Sequence, residues 1–296
     1  MRKLKYLLQY YAIITTAFTL RSLHLKLARF FARRLGDLNY YLVGIRRKTV
    51  SKNLSESFPE KSHAEIRLIA RNTFRQILTT FIELAFFPKW TKDDLNKIII
   101  IKGKEVIDDA FEKGKGVIFV TTHFCNWELL GSIVSLNYPL NAIAATQSNN
   151  KLDNLINSYR KAKSLKIIPM NFAARGIIQA LKKHESVAFL SDQDAGINGT
   201  FVNFFGRLTS TPKGTAVFAL RQGCPLIFGI IFRDNDKFIA SFEYVPKPLL
   251  TGDEEKDIQN YTQAYTTMLE NYVRKYPDHY YWVHRRWKTR PPSESS

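Results

Sequence analysis

Short apolar segments alternate with amphipathic segments along the chain after residue 96. Apolar runs, which predict β-strands, occur at residues 98–101, 117–121, 142–145, 166–169, 187–190, 226–232 and 238–244. Apolar positions at helical spacing predict helices at about 105–112, 126–136, 151–163, 173–183, 213–222 and 254–276. This alternation indicates an α/β fold with a mixed, mostly parallel sheet flanked by helices. Turn-forming residues at 234–236 predict that the last two strands form a hairpin.

The N-terminal part of the chain is apolar and basic. Residues 6–20 contain no charged side chain and have cations on both sides. Because about 20 apolar residues are needed to cross a bilayer core, this run predicts either a tilted, partial anchor or a helix in the membrane interface. The basic aromatic segment 21–36 continues that face, or alternatively forms an amphipathic core helix with a solvated basic side. We assign residues 1–22 to an N-terminal membrane anchor or interfacial helix.

The rest of the chain divides into three parts. Residues 23–96 have a helical pattern, with a break before Pro59 and a capping signal at Ser62, and predict a helical preface. Residues 97–290 contain the strand and helix alternation and predict the catalytic α/β core. Residues 291–296 predict a short disordered tail. A chain of 296 residues with 45% hydrophobic content can bury a large core as one catalytic domain.

The chain carries a large excess of positive charge. It has 44 Lys and Arg residues against 26 Asp and Glu residues, which gives a formal net charge of +18. Such an excess favours an anionic partner, such as a phospholipid surface, a phosphorylated glycolipid or an acidic protein. We find no zinc pattern, RNA-binding aromatic signature or Gly-rich phosphate loop, so nucleic acid is not an expected partner. The two cysteines fit neither a disulfide framework nor a metal cage and favour a reducing compartment.

Candidate chemistry begins where the strand at 117–121 ends. His123 lies in the crossover to a helix whose predicted N-cap is Asn126, and Glu128 lies in the first turn of that helix. In an open α/β sheet, ligands bind in the crevice beyond the carboxyl ends of the strands. A neutral imidazole there can take a proton from a hydroxyl, and a carboxylate on its other nitrogen fixes the tautomer. The segment therefore predicts a base, His123, that is oriented by Glu128 and activates a hydroxyl of the substrate.

Other interpretations of the same segment remain open. His123 could satisfy a loop carbonyl while Glu128 is a solvated acid, or Cys125 could act as a thiolate nucleophile beside the histidine. The backbone N–H groups at the helix start are candidates for an oxyanion hole, which makes Asn126 a candidate substrate-binding residue.

Polar residues elsewhere are candidates for substrate binding. Asp192 and Asp194 follow a buried strand and should face the same crevice as the histidine, where they could bind a metal, orient sugar hydroxyls or hold Arg160. An acid-rich turn is the alternative. Lys213, at a helix start that follows a predicted loop at 201–206, could receive an anion. Arg160 ends a helix, and by itself is a surface cation that complements the helix dipole.

Several blocks of the sequence resemble one family. The segment THFCNWELLG, with His123 and Glu128 five positions apart, is similar to the signature of the membrane glycerolipid and lipid A acyltransferases. Residues 190–227 resemble the later blocks of the bacterial lipid A late acyltransferases, the lauroyl and myristoyl transferase branch. The segments NLSESFPEK and HYYWVHRRWK also resemble that branch. The resemblance covers nearly the whole chain.

The resemblance implies a membrane-associated O-acyltransferase on the cytoplasmic side of the inner membrane. It implies transfer of a fatty acyl chain from an acyl thioester, acyl carrier protein or acyl-CoA, to a hydroxyl of a lipid A precursor or similar anionic glycolipid, with a His-Glu dyad as general base. No cofactor beyond the acyl donor is implied. It also implies a role for Arg160 in clamping a phosphate or carbonyl oxygen, and Asp192 is the aspartate that matches the functional position best.

Alternatives from the same and other classes stay open. A phosphatidylinositol mannoside or a lysophospholipid could be the acceptor. A metal-dependent glycosyltransferase would use Asp192 and Asp194 to hold a divalent metal and a nucleotide sugar. A non-catalytic basic membrane or nucleic-acid binder would explain the charge, but it leaves the His123 crossover unexplained.

Overall fold

The structure is a computed structural model that describes residues 2–146, 148–235 and 237–291. Its α-helices are α1 Arg2–Ser22, α2 Leu25–Leu38, α3 Arg47–Ser57, α4 His63–Leu84, α5 Lys92–Ile98, α6 Lys104–Glu112, α7 Trp127–Ser135, α8 Asn150–Lys161, α9 Ala173–Lys182, α10 Gly214–Gln222 and α11 Glu254–Lys275. Its strands are β1 Ile99–Lys102, β2 Val117–Thr121, β3 Leu140–Ala144, β4 Lys166–Pro169, β5 Ser186–Leu190, β6 Thr200–Phe204, β7 Arg207–Thr211, β8 Leu226–Asp234 and β9 Lys237–Tyr244. Within the predicted tail at 291–296, residues 292–296 lie outside the described residues.

The main sheet confirms the predicted α/β fold. Its strands follow the order β1-β9-β8-β2-β5-β3-β4, and the neighbours are parallel except for β8 and β9, which form the predicted antiparallel hairpin. Strand β2 lies in the interior of the sheet, between β5 and β8, and its first four residues are buried. A continuous apolar run such as 117–120 suits a strand that is covered on both faces. Thr121 and Leu190 are paired at the carboxyl ends of β2 and β5, so the chain leaves both strands at the same edge of the sheet.

The prediction of a loop at residues 201–206 is wrong. Strands β6 and β7 form a separate antiparallel hairpin with Phe204 opposite Arg207. The turn residues Phe205 and Gly206 both have positive φ, at 54° and 73°, as a two-residue hairpin turn of this hand requires. Phenylalanine is an unusual residue in the first of these positions, so the usual Asn-Gly or Asp-Gly signal is missing.

The helical preface packs on the core through α4. Helix α3 ends before Pro59, as predicted, and Ser62 forms a capping box with Glu65 at the start of α4. Helix α2 lies close against α4, since a Cβ atom on Gly36 would come within 2.6 Å of the Cα of Arg75. The small residues Ala28, Ala32 and Gly36 make up most of the buried face of α2.

The predicted N-terminal anchor or interfacial segment is helical in the described residues. Helix α1 extends to Ser22 and contacts α8, and the amide of Asn149 donates to the carbonyl of Tyr6 at 2.9 Å. Among the helices of the described residues, none combines the length and the apolar character that a membrane crossing needs.

The C-terminal segment after α11 packs into the core. Tyr280, Trp282, Arg286 and Trp287 are buried, and Trp287 stacks on Phe204 with ring centres 5.7 Å apart. The aromatic and basic side chains of this segment therefore pack against the fold. The segment consequently forms part of the wall around His123.

Candidate active site

His123 lies in a tightly held crossover between β2 and α7. The backbone N–H of Tyr281 donates to the carbonyl of His123 at 3.1 Å, and the N–H of Cys125 donates to the carbonyl of His279 at 2.8 Å. Phe124 also forms an isolated β-bridge with Tyr280. The C-terminal segment therefore fixes both sides of the crossover and sets the position of the imidazole.

Asp192 is the carboxylate that contacts the imidazole. Its Oδ1 lies 2.8 Å from Nδ1 of His123, and its side chain is almost fully buried. The prediction that Glu128 makes this contact is wrong. Strand β2 pairs with β5, and this pairing brings Asp192, which follows Ser191, across to the crossover. A carboxylate on Nδ1 places the proton there and leaves Nε2 as the lone-pair nitrogen.

The electrostatic environment favours a charged pair. Burial lowers the pKa of His123, but the charge and hydrogen bond of Asp192 outweigh it, so the pKa lies above its usual value of 6.5. Burial raises the pKa of Asp192, and the positive charge and hydrogen bonds of His123, together with buried Arg286, bring it below its usual value. The imidazolium that would form after proton uptake is therefore stabilised by an ionised neighbour.

Glu128 instead forms an ion pair with Arg160 of α8. Nε of the arginine donates to Oε2 at 3.0 Å and Nη2 donates to Oε1 at 2.5 Å, a bidentate arrangement. Nη1 also donates to Asn157 at 3.2 Å. Burial lowers the pKa of Arg160, but Glu128 raises it more, so the net shift is upward. The structure thus brings Glu128 and Arg160 together at the start of α7, beside His123.

Asn126 caps α7, as predicted. Its Oδ1 accepts from the N–H of Leu129 at 3.0 Å, and its Nδ2 donates to Oε2 of Glu83 at 2.8 Å. Both ends of this buried side chain are hydrogen-bonded to other protein groups, so the side chain positions the helix. The predicted substrate-binding role of Asn126 is therefore limited to the backbone N–H groups at the helix start, which have no partner inside a helix.

Glu83, which the sequence analysis missed, joins three parts of the chain around this cap. Its fully buried carboxylate also accepts from Arg29 of α2 at 2.7 Å and from Arg233 of β8 at 2.9 Å. The signal in the sequence is a single acid inside an apolar helical run, FIELAFF, at residues 81–87. A lone charge in such a run must find partners when it is buried.

Cys125 does not provide a reactive thiol. It is 2% exposed, its Sγ accepts from the amide of Gln76 at 3.1 Å, and burial raises its pKa to about 12. A nucleophilic cysteine needs a lowered pKa and access to substrate. The thiolate interpretation of the crossover is therefore wrong.

Asp194 holds the C-terminal segment. Its carboxylate accepts from the N–H and the hydroxyl of Thr289, each at 3.0 Å, while its own N–H donates to His284 at 2.9 Å. Asp192 and Asp194 consequently serve different partners. Among the described residues, no group of three or more His, Cys, Asp or Glu side chains could hold a metal ion.

Lys213 immediately precedes α10, close to the same edge of the sheet. Thr215 in the first turn of that helix is 2.6 Å from Ser191, the neighbour of Asp192. The start of α10 therefore faces the region where Asp192 leaves its strand. An anion-binding role for Lys213 stays a prediction.

An apolar cavity lies beneath α7. Trp127, whose ring centre is 5.0 Å from that of His123, lines it together with Glu128 and Arg160, and Phe242 and Val134 line it farther along the helix. Small residues on the sheet and on α7 leave this space open: Gly131, Ala142, Ala144, Ala188 and Gly229. These small residues on facing elements are the sequence signal for the cavity. The signal can be recognised only when the strand order is known, because the residues come from separate elements.

Aromatic rings surround the imidazole. The ring of His123 lies edge-on to Trp127 with centres 5.0 Å apart and is tilted against Tyr281 at 5.9 Å. The amide of Gln193 lies 3.5 Å from Nε2. The lone-pair nitrogen therefore faces a partly enclosed space, and the imidazole is 19% exposed.

Residues 1–289 match the family described as bacterial lipid A biosynthesis acyltransferase. The chain belongs to this family. The chain is 29% identical over 270 residues to the lipid A biosynthesis palmitoleoyltransferase of Escherichia coli (strain K12), and the match covers 90% of the chain and 87% of the relative.

Two further relatives span the family and a neighbouring activity. The lipid A biosynthesis lauroyltransferase of Escherichia coli (strain K12) is 26% identical, over 87% of this chain and 84% of its own. The phosphatidylinositol mannoside acyltransferase of Mycolicibacterium smegmatis (strain ATCC 700084 / mc(2)155) is 21% identical, over 60% of this chain and 59% of its own. The predicted family and the predicted enzyme class, an acyltransferase, are confirmed.

Proposed function

We propose that this protein moves a fatty acyl chain from an acyl thioester to a hydroxyl of a lipid A precursor, with His123 as the general base. The observation that carries the proposal is the His123–Asp192 pair, whose imidazole ring centre lies 5.0 Å from that of Trp127, a residue that lines an apolar cavity. A base so close to the cavity can act on a hydroxyl while the cavity holds the hydrocarbon part of a thioester. The acyl thioester is the co-substrate, and the proposal includes no other cofactor.

The proposed reaction proceeds without a covalent enzyme intermediate. The acceptor hydroxyl gives its proton to Nε2 of His123 as its oxygen attacks the thioester carbonyl carbon. The hydrogen bond from Nδ1–H to Asp192 stabilises the imidazolium that forms. The tetrahedral intermediate then collapses, the C–S bond breaks, and the leaving thiolate takes the proton back from His123.

Two features are suited to the negative charge that develops on the carbonyl oxygen. The first N–H groups of α7, on Trp127 and Glu128, have no partner within the helix and lie at its positive end. Arg160 lines the same cavity opening, where its ion pair with Glu128 holds the guanidinium in place. We assign the oxyanion site to this corner, and we assign Lys213 to anionic groups of the acceptor.

Exposed apolar side chains support membrane association. One face of α2 carries five large exposed residues at helical spacing, Leu27, Phe30, Phe31, Leu35 and Leu38. This face is opposite the small residues that pack on α4, and the exposed cation Arg34 lies over the ring of Phe30. An apolar helix face with neighbouring cations is suited to the headgroup region of an anionic bilayer.

The segment that follows α2 extends this apolar surface. Residues Asn39–Val43 form a π-helical turn, after which Gly44 adopts φ 71°. Tyr41, Leu42, Val43 and Ile45 are each more than half exposed. We name residues 41–45 the apolar turn and propose that it enters the membrane together with α2.

The charge of the chain fits both proposed partners. A net charge of +18 attracts the anionic leaflet and also an acidic carrier protein that delivers the acyl chain. We therefore propose acyl carrier protein as the donor, and the cytoplasmic side of the inner membrane as the place of the reaction.

The test is an acyl transfer assay with purified protein in detergent. Acyl carrier protein and coenzyme A thioesters are offered against a tetra-acylated lipid A precursor, a phosphatidylinositol mannoside and a lysophospholipid, with His123→Ala in parallel. Product on the lipid A precursor that disappears in the variant is the expected result. Product on another acceptor would support the mechanism and show that the acceptor is a different lipid. The phosphatidylinositol mannoside is the first of these to examine, because the relative from Mycolicibacterium smegmatis is named for it. Unchanged activity of the variant would exclude His123 as the base.

A further inference from the structure

A second cavity lies at the far end of the first. Phe242 and Val134 border both spaces. The lining of the second cavity is in part apolar, with Ile101, Ile107 and Ile133. Its other lining residues are polar: Asn96, Lys104, Asn137 and Tyr138. The two residues that border both spaces thus separate an apolar space from a second space with a partly polar lining.

The ring of Phe242 is fixed in this position by its neighbours. It is 3% exposed and lies edge-on to Phe119, with ring centres 6.0 Å apart. Gly229 lies opposite Phe242 in the β8–β9 pairing, and a Cβ atom there would come within 3.1 Å of the ring. Because Gly229 has no side chain, the ring of Phe242 can occupy this space.

The backbone of Phe242 is equally constrained. Gly103, which precedes α6, has φ 76°, and a Cβ atom there would lie 2.0 Å from the carbonyl oxygen of Phe242. Close packing of this kind on the backbone and the ring together limits the freedom of the side chain to turn aside. The end of the first cavity is consequently a rigid surface.

We propose that the ring of Phe242 is the end wall of the acyl-chain cavity and determines the longest acyl chain that the enzyme accepts. The inference rests on the proposed function, in which the cavity holds the acyl chain of the donor. A chain that reaches the ring has buried all its methylenes, and a longer chain must displace the ring or leave methylenes outside. Removal of the ring would join the two cavities and give a longer chain an apolar path past Val134 toward Ile133.

The experiment compares acyl-chain preference in variants of the full chain. Phe242→Ala and Phe242→Leu are assayed with donors of ten to eighteen carbons on the acceptor that the wild type uses. We expect the preferred chain to become longer, with a gain on the order of fourfold in kcat/KM for each methylene that finds a buried place. Gly229 lines the first cavity and not the second, so the methyl group added in Gly229→Ala would occupy part of the first cavity and should shorten the preferred chain.

A matched control removes a different phenylalanine from the same strand. Phe238 is fully buried on β9 but lines neither cavity, so Phe238→Ala should leave the chain preference unchanged. Its melting temperature and that of Phe242→Ala separate general loss of stability from a change in preference. Phe242→Leu keeps an apolar side chain of considerable size and provides a folded variant if the alanine variant is unstable.

A binding measurement distinguishes failure of this inference from failure of the proposed function. Free fatty acids of graded length are added to the wild type and to Phe242→Leu, and the rise in melting temperature is recorded. A longer optimum in the variant supports the end wall even if no transfer is seen, in which case the proposed function fails alone. An unchanged optimum in both transfer and binding, in a folded variant, overturns the assignment of Phe242.

Discussion

Asp192 Oδ1 lies 2.8 Å from Nδ1 of His123, although 69 positions separate the two residues in the chain. Parallel pairing of β2 with β5 places Thr121 beside Leu190, so the segments that carry His123 and Asp192 leave the sheet at the same edge. Glu128, only five positions from the histidine, binds Arg160 instead. The acid that contacts the imidazole therefore comes from the segment after the neighbouring strand, and the nearby acid of the sequence motif binds an arginine.

Loss of the imidazole should abolish most of the turnover. A positioned general base contributes roughly 10² to 10⁴ in rate, so His123→Ala should reduce kcat by a factor in that range. Cys125→Ala is the matched variant, because it changes the same crossover at a thiol that is buried and protonated. The acyl transfer assay should show activity within a few-fold of the wild type for the cysteine variant. Inactivity of a folded Cys125→Ala protein would restore the thiolate mechanism.

The pH dependence of kcat/KM should report the His123–Asp192 pair. Asp192 holds the pKa of His123 above 6.5, so the base is protonated, and activity falls, as the pH drops through that raised value. In Asp192→Asn burial still lowers the pKa of His123 while only the charge of Glu128 is left to raise it, so that pKa falls below its wild-type value. The residual activity should then fall only at lower pH, and its maximum should be lower by about 10²-fold or more, because the tautomer is no longer fixed. An acid limb at an unchanged pH would argue against this pairing.

The Glu128–Arg160 ion pair should act as a unit. We expect Glu128→Gln and Arg160→Gln each to lower kcat/KM, and the double variant to be little worse than either, since each single change removes the same bidentate contact. Arg160→Lys keeps the charge without the fork and should recover only part of the activity. Fully additive losses in the four-variant cycle would show that the two residues act separately.

Glu83 should be important for stability. Glu83→Ala leaves Arg29 and Arg233 buried without their shared carboxylate, which costs roughly 3 to 5 kcal/mol of unfolding free energy. Urea denaturation measures the loss. Glu254→Ala is the control, since it breaks an exposed, solvent-screened ion pair with Arg221 and should leave the unfolding free energy nearly unchanged. Similar losses in the two variants would contradict the role of the buried network.

The apolar turn should contribute to membrane binding. Leu42→Ser with Val43→Ser removes two exposed apolar side chains, each of which gains roughly 1.5 to 3 kcal/mol when fully buried, so binding to anionic vesicles should weaken by about tenfold or more. Leu249→Ser with Leu250→Ser changes an equally exposed pair on the loop between β9 and α11 and should bind as the wild type does. Co-sedimentation with vesicles distinguishes the two. Equal binding by the two variants would show that the apolar turn does not contact the membrane.

Much of the fold could be predicted from local pattern. The strands and helices of the core agree with the apolar runs to within one or two residues at most ends, and the caps at Ser62 and Asn126 are where the sequence indicates. The β6–β7 hairpin could not be predicted, because its turn uses Phe205 in a left-handed conformation. Glu83 was missed because its three partners come from three distant segments.

The sequence by itself determined the α/β alternation, the crossover that carries His123 and the capped helix that follows it. These features depend on residues that are close together in the chain, where spacing and side-chain type act directly. Only the tertiary structure decided that Asp192 rather than Glu128 contacts His123, and that Phe242 lies between the two cavities. Strand order brings residues from separate segments together, and that order is set by packing over the whole sheet, which no local pattern contains.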